Sequence, residues 1–234
     1  MYACQRFIVG SPGASIKRQY ARTVLVTPNM LARTTTITRM ESRTGRRILL
    51  IRHGQTEWAL SGRHTGRTDI DLTPIGEAAA RALGPKIARH GLDHPLVICS
   101  PRLRALRTAE LAGLSVDEVT ESVAEWDYGD YEGLTRLHIQ AELEPSWTIW
   151  THGAPGGESL SDMTSRVDAT ITRITKALVE RDVIVVSHGH FSRSFIARFL
   201  GQPIGFGACL TFSPAGTALL SDAEPNRTLD ELSG

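Results

Sequence analysis

Short apolar runs alternate with amphipathic stretches along the chain from residue 48 onward. Four runs rich in β-branched and other apolar residues predict β-strands, at residues 48–52, 96–100, 183–187 and 217–221. Stretches with helical periodicity separate these strands, and such alternation is typical of a mostly parallel sheet with helices on both faces. The pattern therefore predicts an α/β protein organised as a three-layer αβα sandwich.

The predicted helices carry start and stop signals. Helices are expected to begin at Thr73 and at Ser100, since each residue can cap a first turn and each is followed by Pro. Longer helices are predicted over 158–180 and over 191–200, the second ending at Gly201. Apolar residues three or four apart along the first of these predict a core-facing stripe: Leu160, Met163, Val167, Ile171, Ile174 and Leu178.

Composition and charge divide the chain unevenly. Its 234 residues are 41% hydrophobic and 22% charged, which fits one globular domain. Residues 1–47 contain nine Lys or Arg and one acidic residue, whereas the remaining chain contains 17 basic and 24 acidic residues. We expect residues 1–47 to be a basic, disordered extension, residues 48–222 to be the folded domain and residues 223–234 to be a C-terminal tail.

The basic extension has several interpretations. Its composition, rich in Arg and Ser and poor in acids, fits a transit peptide or a basic arm that contacts nucleic acid or anionic lipid. A later translation start, at Met40 or Met30, would remove most of it and leave the folded domain intact. No apolar run within it is long enough for a signal-peptide core or a membrane-spanning helix.

Cysteine usage and charge bear on location and partners. Cys4, Cys99 and Cys209 are far apart and form no CxxC pair, a spacing typical neither of a disulfide framework nor of a zinc ribbon. A cytoplasmic location is therefore expected. The excess of acidic residues after residue 47 opposes contact with a phosphate backbone, so the folded domain is expected to bind neither nucleic acid nor membrane.

Candidate chemistry is concentrated where the predicted strands end. Arg52 and His53 end the first strand, His188 follows the strand at 183–187, and Arg104 lies in the helix after the second strand. Ligands of open α/β sheets bind beyond the carboxyl ends of the strands, so these side chains are expected to meet. A zinc site is the first alternative, because His is a common zinc ligand. The arginines would repel a dication and suit a phosphate dianion, so the pattern favours an anion site.

Several further runs follow these strand ends in a fixed order. They are Leu50-Ile51-Arg52-His53-Gly54-Gln55-Thr56-Glu57-Trp58, Gly62-Arg63-His64-Thr65-Gly66, Leu72-Thr73-Pro74-Ile75-Gly76, Ser100-Pro101-Arg102-Leu103-Arg104-Ala105, Glu125-Trp126-Asp127-Tyr128-Gly129, Glu132-Gly133 and Val186-Ser187-His188-Gly189. Together, over residues 48–221, they resemble the signature of the histidine phosphatase superfamily, the phosphoglycerate mutase-like proteins. The resemblance implies a phosphoglycerate mutase-like fold. It also implies an acid phosphatase-like activity on a small phosphorylated metabolite, without metal or cofactor.

The resemblance assigns a role to each residue at the strand ends. It makes His53 the nucleophile that accepts the phosphoryl group, with Arg52, Arg104 and His188 surrounding that group. A phosphohistidine intermediate would divide one slow displacement into two easier steps. Fixed positive donors around the phosphoryl oxygens would stabilise the transition state.

Further positions carry weaker implications. Glu125 takes the family position of the general acid, and its neighbours Trp126 and Tyr128 are expected to favour its neutral form. One departure is Ala59, which stands where the family commonly has Asn and removes a phosphate-pocket donor. The remaining residues that the resemblance places at the phosphate are Thr56, Arg63, Thr65, Gly66 and Gly189, the glycines allowing backbone amides to approach an anion.

The segment between Gly133 and Gly157 distinguishes a phosphatase from a mutase. Mutases of this family carry a long basic insertion here, whereas this stretch is short and Arg136 is its only permanent cation. Hydrolysis is therefore favoured, with a mutase-type phosphotransferase and a non-catalytic phospho-ligand binding protein as alternatives. Trp147 and Trp150 would either cover the leaving group or pack this segment onto the domain. Family members are frequently dimers, so a homodimer is expected from the resemblance alone.

Overall fold

The computed structural model describes residues 45–223 and 226–233, which are built around a six-stranded sheet. Across the sheet the strands follow the order β3-β2-β4-β1-β5-β6. The pairs β2–β3, β2–β4 and β1–β4 are parallel, and β5 is antiparallel to both β1 and β6. The predicted mostly parallel sheet is confirmed, with an antiparallel edge. The strands are β1 (Arg46–Arg52), β2 (Leu96–Cys99), β3 (Glu118–Val119), β4 (Val183–Ser187), β5 (Thr217–Ala223) and β6 (Asn226–Ser233).

Helices connect and flank the strands. Three short 3₁₀ segments accompany the α-helices, at Glu121–Val123, Gly129–Tyr131 and Ile204–Cys209. No helix in the described part of the chain is both long and apolar enough to cross a membrane. The α-helices there are α1 (Glu57–Leu60), α2 (Pro74–Arg81), α3 (Leu83–Arg89), α4 (Leu103–Leu111), α5 (Arg136–Glu142), α6 (Ile149–His152), α7 (Leu160–Ala177) and α8 (Gly189–Phe199).

The helix signals in the sequence are largely confirmed. The Thr73 side chain accepts a hydrogen bond from a first-turn N–H of α2, as an N-cap does. Ser159 caps α7 in a capping box with Asp162, so this helix begins two residues later than predicted. Gly201, at φ +73°, takes the left-handed conformation after α8 that favours glycine. Ser100 differs, because α4 begins at Leu103 with no side-chain cap.

Both faces of the sheet are buried, which explains why the central strands are apolar without alternation. Ile48 and Leu50 of β1 face one core with α7 and α8, whereas Leu49 and Ile51 face the other core with α3 and α4. Helices on opposite faces confirm the three-layer arrangement. The predicted stripe of α7 lies in the first core, with Leu160 at its margin and these residues buried: Met163, Val167, Ile171, Ile174 and Leu178.

The ends of the folded region differ from the sequence boundaries. Strand β1 begins at Arg46, two residues before the predicted domain start, and residues 1–44 of the predicted extension lie outside the described residues. Residues 226–233, assigned to a C-terminal tail, form β6 and pair with β5. This strand lies at the sheet edge and is largely exposed, with Leu229 packed against the core. Its polar sequence therefore lacked the apolar pattern on which strand prediction relies.

Candidate active site

The three strand ends that carry the predicted chemistry meet at one edge of the sheet. Strands β2, β4 and β1 are adjacent and parallel, so their carboxyl ends point the same way. The backbone N–H of His53 donates to the Ser187 carbonyl at 2.9 Å, and that of Ser100 donates to the Val186 carbonyl at 3.0 Å. The expected meeting of these strand ends is confirmed.

The rings of His53 and His188 face each other at this edge. Their centroids are 5.1 Å apart, and both side chains are buried. His53 Nδ1 lies 2.7 Å from the Gly54 carbonyl, which can only accept, so Nδ1 carries the proton and a neutral ring keeps its lone pair on Nε2. Burial first, then the charges of Arg104 and Arg52, hold the pKa of His53 well below its ordinary value. His53 thus presents an unprotonated nitrogen near neutral pH.

A buried serine orients the second histidine. His188 Nε2 lies 2.7 Å from Ser100 Oγ, and both side chains are fully buried. Its Nδ1 is buried and has no hydrogen-bond partner among the described residues. Burial, followed by Arg104 and His53, lowers the pKa of His188 well below its ordinary value. When Ser100 donates to Nε2 of this neutral ring, Nδ1 carries the proton and is a donor to a ligand.

Two arginines complete the cluster, and backbone carbonyls hold both. Arg104 donates from Nη1 to the Thr68 carbonyl at 2.9 Å and from Nη2 to those of Thr65 and Gly66 at 2.9 and 3.1 Å. Arg52 Nη1 donates to the Phe212 carbonyl at 2.5 Å. The Nε atoms of both arginines are buried, and within the described part of the chain neither has a hydrogen-bond partner. Because carbonyls orient these groups without neutralising them, the cluster keeps a positive charge suited to a phosphate dianion.

Glycine at position 189 permits close approach to Arg52. A Cβ atom built on Gly189 would lie 3.1 Å from Cζ and 3.2 Å from Nε of Arg52. Any larger residue would push the guanidinium away from its place. Gly189 therefore permits the observed position of the Arg52 guanidinium.

Glu125 lies against the N-terminus of α8. Its Oε1 accepts hydrogen bonds from the N–H groups of Trp126 at 3.0 Å and Phe191 at 2.8 Å, and Oε2 accepts from that of His190 at 3.0 Å. Trp126 and Tyr128 are buried as expected. Three backbone N–H groups thus hold the Glu125 carboxyl group in place, and the expected effect of Trp126 and Tyr128 on it stays a prediction.

The other predicted phosphate residues are placed unequally. Thr56 is buried and its hydroxyl accepts from Ala59 N–H at 3.1 Å, capping α1. Thr65 and Gly66 hold Arg104 through their carbonyls, and Gly66 N–H is bound to the Glu132 carboxylate at 2.9 Å rather than offered to an anion. Arg63 is not brought into the cluster: it is exposed, with its guanidinium 5.9 Å from the ring of Trp58.

The two tryptophans of the segment between Gly133 and Gly157 have different surroundings. Trp147 is buried, and its Nε1 donates to the Gly153 carbonyl at 2.9 Å, so it packs the segment onto the domain. Trp150 is only partly buried. The centroid of its ring lies 4.8 Å from the guanidinium carbon of Arg193 and 5.2 Å from the ring centroid of His190, both residues of α8. Of the two interpretations, packing applies to Trp147.

Sequence reasoning missed three polar residues of this region. Ser100 was read only as a helix start, although its hydroxyl contacts His188. The Tyr128 hydroxyl lies 2.6 Å from His190 Nδ1, and Arg193 lies one helical turn after Gly189. For Arg193 the helical period of α8 was an available signal, because residues four apart, such as Gly189 and Arg193, share one helix face.

Comparison with known proteins agrees with this geometry. The sequence profile of the histidine phosphatase superfamily (branch 1) matches residues 48–232. The chain is 50% identical to an acid phosphatase of Mycobacterium tuberculosis over 162 residues, covering 69% of this chain and 79% of that protein. It is 35% identical to a sedoheptulose 1,7-bisphosphatase of Saccharomyces cerevisiae over 183 residues, covering 66% of this chain and 68% of that protein.

A solved structure extends this similarity to the fold. The product of the Mycobacterium tuberculosis open reading frame Rv3214 superimposes with a TM-score of 0.78 and 45% identity, over 80% of this chain and 97% of that one. The profile match covers the whole cluster at the sheet edge and all of the six strands except the ends of β1 and β6. This chain therefore belongs to the histidine phosphatase superfamily, branch 1, and is a phosphoric monoester hydrolase with the phosphoglycerate mutase-like α/β fold.

Proposed function

We propose that this chain hydrolyses small phosphate monoesters through a phosphohistidine formed on His53, without a metal or cofactor. One observation carries the proposal. Among the described residues, five buried side-chain polar atoms lack a hydrogen-bond partner, and three of these belong to the cluster around His53: Arg52 Nε, Arg104 Nε and His188 Nδ1. Buried donors without partners are rare in folded proteins, and a phosphoryl group supplies the oxygens that would satisfy them.

The chemistry runs in two displacements. In the first, the Nε2 lone pair of His53 attacks phosphorus, and the bond to the ester oxygen breaks with its electron pair while Glu125 protonates that oxygen. In the second, water attacks the phosphohistidine and gives its proton to Glu125. The bond between nitrogen and phosphorus then breaks, releasing phosphate and restoring His53. The fixed donors of Arg52, Arg104 and His188 stabilise charge on the phosphoryl oxygens in both steps.

Glu125 needs a proton before it can act as an acid. In the free protein its two oxygens accept hydrogen bonds from three backbone N–H groups. A phosphate dianion bound beside it brings a second negative charge, which favours the protonated carboxyl. Substrate binding therefore prepares the acid, and departure of the leaving group returns the carboxylate to its donors.

Hydrolysis of p-nitrophenyl phosphate between about pH 4 and 8 with EDTA present tests the proposal, with wild type and His53→Ala compared. We expect activity that resists EDTA and disappears in the variant. Rapid acid-free quenching with labelled substrate should also trap phosphate on wild-type protein and not on the variant. Activity that EDTA abolishes, or that His53→Ala retains, would contradict the mechanism. An inactive wild type that exchanges phosphate with phosphoglycerates would indicate a mutase.

Two further expectations accompany this function. The family resemblance favours a homodimer, and a cytoplasmic location is the second expectation. Light scattering coupled to size exclusion would distinguish a dimer from the 25.6 kDa monomer. Fractionation of cells that express the full chain would test the location.

A further inference from the structure

Arg193 is a partly buried arginine that forms no ion pair with any carboxylate of the described residues. It lies in α8, and its guanidinium carbon is 4.8 Å from the centroid of the Trp150 ring. Its Nη1 donates to the Leu210 carbonyl at 3.1 Å, its sole hydrogen bond within the described ranges. A guanidinium has five N–H donors, so most of those on Arg193 have no protein acceptor there.

Arg193 shares its anchoring segment with Arg52 of the phosphate cluster. Arg52 donates to the carbonyl of Phe212 and Arg193 to that of Leu210, two residues apart along the chain. Two residues span at most about 7 Å, so the two arginines are anchored to the same short stretch of backbone. Burial lowers the pKa of Arg193. The charge of Glu125 raises this pKa and the charge of Arg52 lowers it further, as expected when the three side chains lie close together.

The position of Arg193 relative to Glu125 indicates the side on which it acts. Glu125 is held by the N–H groups of His190 and Phe191, and Arg193 follows them within the same turn of α8. In the proposed mechanism Glu125 protonates the leaving oxygen. Arg193 therefore lies near the alcohol portion of the substrate.

The arginines that line the cavity beside Glu125 are paired with carboxylates. This cavity of about 500 Å³ is lined by Arg67, Arg102 and Arg166. Their ion-pair partners are Asp127, Glu121 and Glu158, respectively. Arg193 differs from these arginines, because no carboxylate of the described residues forms an ion pair with it.

We infer that Arg193 binds a second oxyanion, a phosphate or carboxylate carried on the alcohol portion of the substrate. The inference rests on the proposed phosphatase function and narrows its substrate class to phosphate monoesters with a second anionic group near the scissile ester. Between Gly133 and Gly157 the only permanent cation in the sequence is Arg136. The fold supplies a further cation, Arg193, from α8.

Matched substrate pairs test this inference. Fructose 1,6-bisphosphate is compared with fructose 1-phosphate, and 3-phosphoglycerate with glycerol 3-phosphate, because the members of each pair differ in the second anion. We expect wild type to favour the first member of at least one pair in kcat/KM. Arg193→Met should reduce that preference roughly 10- to 100-fold, the loss expected for a charge-assisted hydrogen bond. The pair that responds identifies the second anion as phosphate or carboxylate.

Matched variants separate this role from a structural one. Arg198→Met removes another arginine of α8, one that is paired with Asp168 at 2.8 Å, and should change the preference by less than about twofold. Arg193→Gln loses the charge but can still donate to Leu210, so it should lose the preference even if Arg193→Met does not fold. Thermal unfolding confirms that each variant tested is folded.

Two results would overturn the inference. One is a wild type that shows no preference within either pair while it hydrolyses p-nitrophenyl phosphate. The other is an equal loss in Arg193→Gln on both members of a pair, which would mean that Arg193 serves the scissile phosphate. A wild type inactive on every ester, including p-nitrophenyl phosphate, would instead count against the phosphatase function on which the inference rests.

Discussion

At the scale of single residues, the surroundings decide which side chains are charged. Burial and neighbouring guanidinium groups keep the imidazoles of His53 and His188 neutral, while carbonyl partners leave Arg52 and Arg104 positive. A neutral imidazole has the lone pair that accepts a phosphoryl group, and a fixed cation stabilises the phosphoryl oxygens. The same neighbours thus supply both requirements of the reaction.

Ser100 is predicted to be a positioning residue that acts through His188. Ser100→Ala removes the hydroxyl that lies 2.7 Å from His188 Nε2, so the ring loses its fixed orientation and tautomer. We expect kcat/KM for p-nitrophenyl phosphate to fall by roughly 10-fold, and Ser100→Thr to restore part of it. The ¹⁵N chemical shifts of His188 should show a change of tautomer in the alanine variant.

The control for Ser100 is another buried serine. Ser194 is equally buried and donates to the His190 carbonyl at 2.8 Å, so Ser194→Ala also costs one hydrogen bond. Its kcat/KM should stay within about twofold of wild type. A loss as large as that of Ser100→Ala, with unchanged His188 shifts in both variants, would mean that Ser100 contributes stability alone.

Glu125 is predicted to matter most for poor leaving groups. Glu125→Gln cannot deliver a proton, and an alkyl alcohol leaves slowly without one, whereas p-nitrophenolate leaves readily. We expect kcat for an alkyl phosphate to fall at least roughly 10-fold further than kcat for p-nitrophenyl phosphate. Steady-state kinetics on the two esters measure the difference. Equal slowing of both esters would remove Glu125 from the acid role.

At the scale of elements, two helices fix the segment that carries Glu125. The first turn of α8 donates two N–H groups to the carboxylate. From α7, Arg166 donates to the carbonyls of Ala124 and Glu125 and pairs with Glu158, which in turn accepts from the backbone N–H of Asp127. The position of Glu125 therefore depends on contacts between elements as well as on its own loop.

Arg166→Met tests this arrangement. It leaves two carbonyls without their donor and Glu158 without its ion-pair partner, so the free energy of unfolding should fall by about 2–4 kcal/mol. Urea unfolding measures this change. Hydrolysis of alkyl phosphates should slow more than hydrolysis of p-nitrophenyl phosphate, because the variant releases the segment with Glu125.

The matched control lies two turns further along the same helix. Arg173 pairs with Glu118 at the surface, where an ion pair contributes less than about 1 kcal/mol. Arg173→Met should therefore change neither stability nor leaving-group dependence appreciably. If Arg166→Met behaves like this control, α7 does not fix the acid.

At the scale of the whole molecule, the site is built at the junction of three parallel strands and lies largely out of water. Helices cover both faces of the sheet, and the cluster lies at its carboxyl edge between two cores. Burial of ionisable groups is thus a consequence of the fold. It makes folding stability depend on pH, since groups held neutral in the folded chain regain protons when it unfolds.

Acid should therefore destabilise the protein. Burial lowers the pKa of His53 and His188 well below the ordinary value, and that of His64 to about 4. Below about pH 6.5 the unfolded chain binds protons at these rings that the folded chain does not, so stability falls as pH falls. Between pH 7 and 5.5 we expect a loss of roughly 2–4 kcal/mol in the free energy of unfolding, measured by urea titration.

Substitution at single histidines checks the assignment. His64 stacks on Tyr128 with ring centroids 4.6 Å apart, so His64→Phe keeps an aromatic ring and removes one group that protonates on unfolding. The dependence of stability on pH should become shallower in this variant. The control is His138→Gln, on the exposed side of α5, which should leave the dependence of stability on pH unchanged. Stability that is constant between pH 7 and 5.5 would contradict the prediction.

The amino-acid sequence by itself determined the local elements and most of the site chemistry. Four strands and the main helices follow from apolar periodicity and caps such as Thr73, because these patterns are set by neighbours in the chain. Arg52, His53, Arg104 and His188 were found because they follow the ends of such elements. Strand β6 was missed because an exposed edge strand needs no apolar pattern.

Tertiary structure alone decided which atoms face each other. The contact of Ser100 with His188 joins residues 88 positions apart, and the support of Glu125 by Phe191 joins residues 66 positions apart. No local pattern encodes such pairs, because they depend on the order of strands in the sheet and on how α8 packs over it. That Arg193 forms no ion pair within the described residues became visible only there, since an ion pair or its absence is a property of the folded chain.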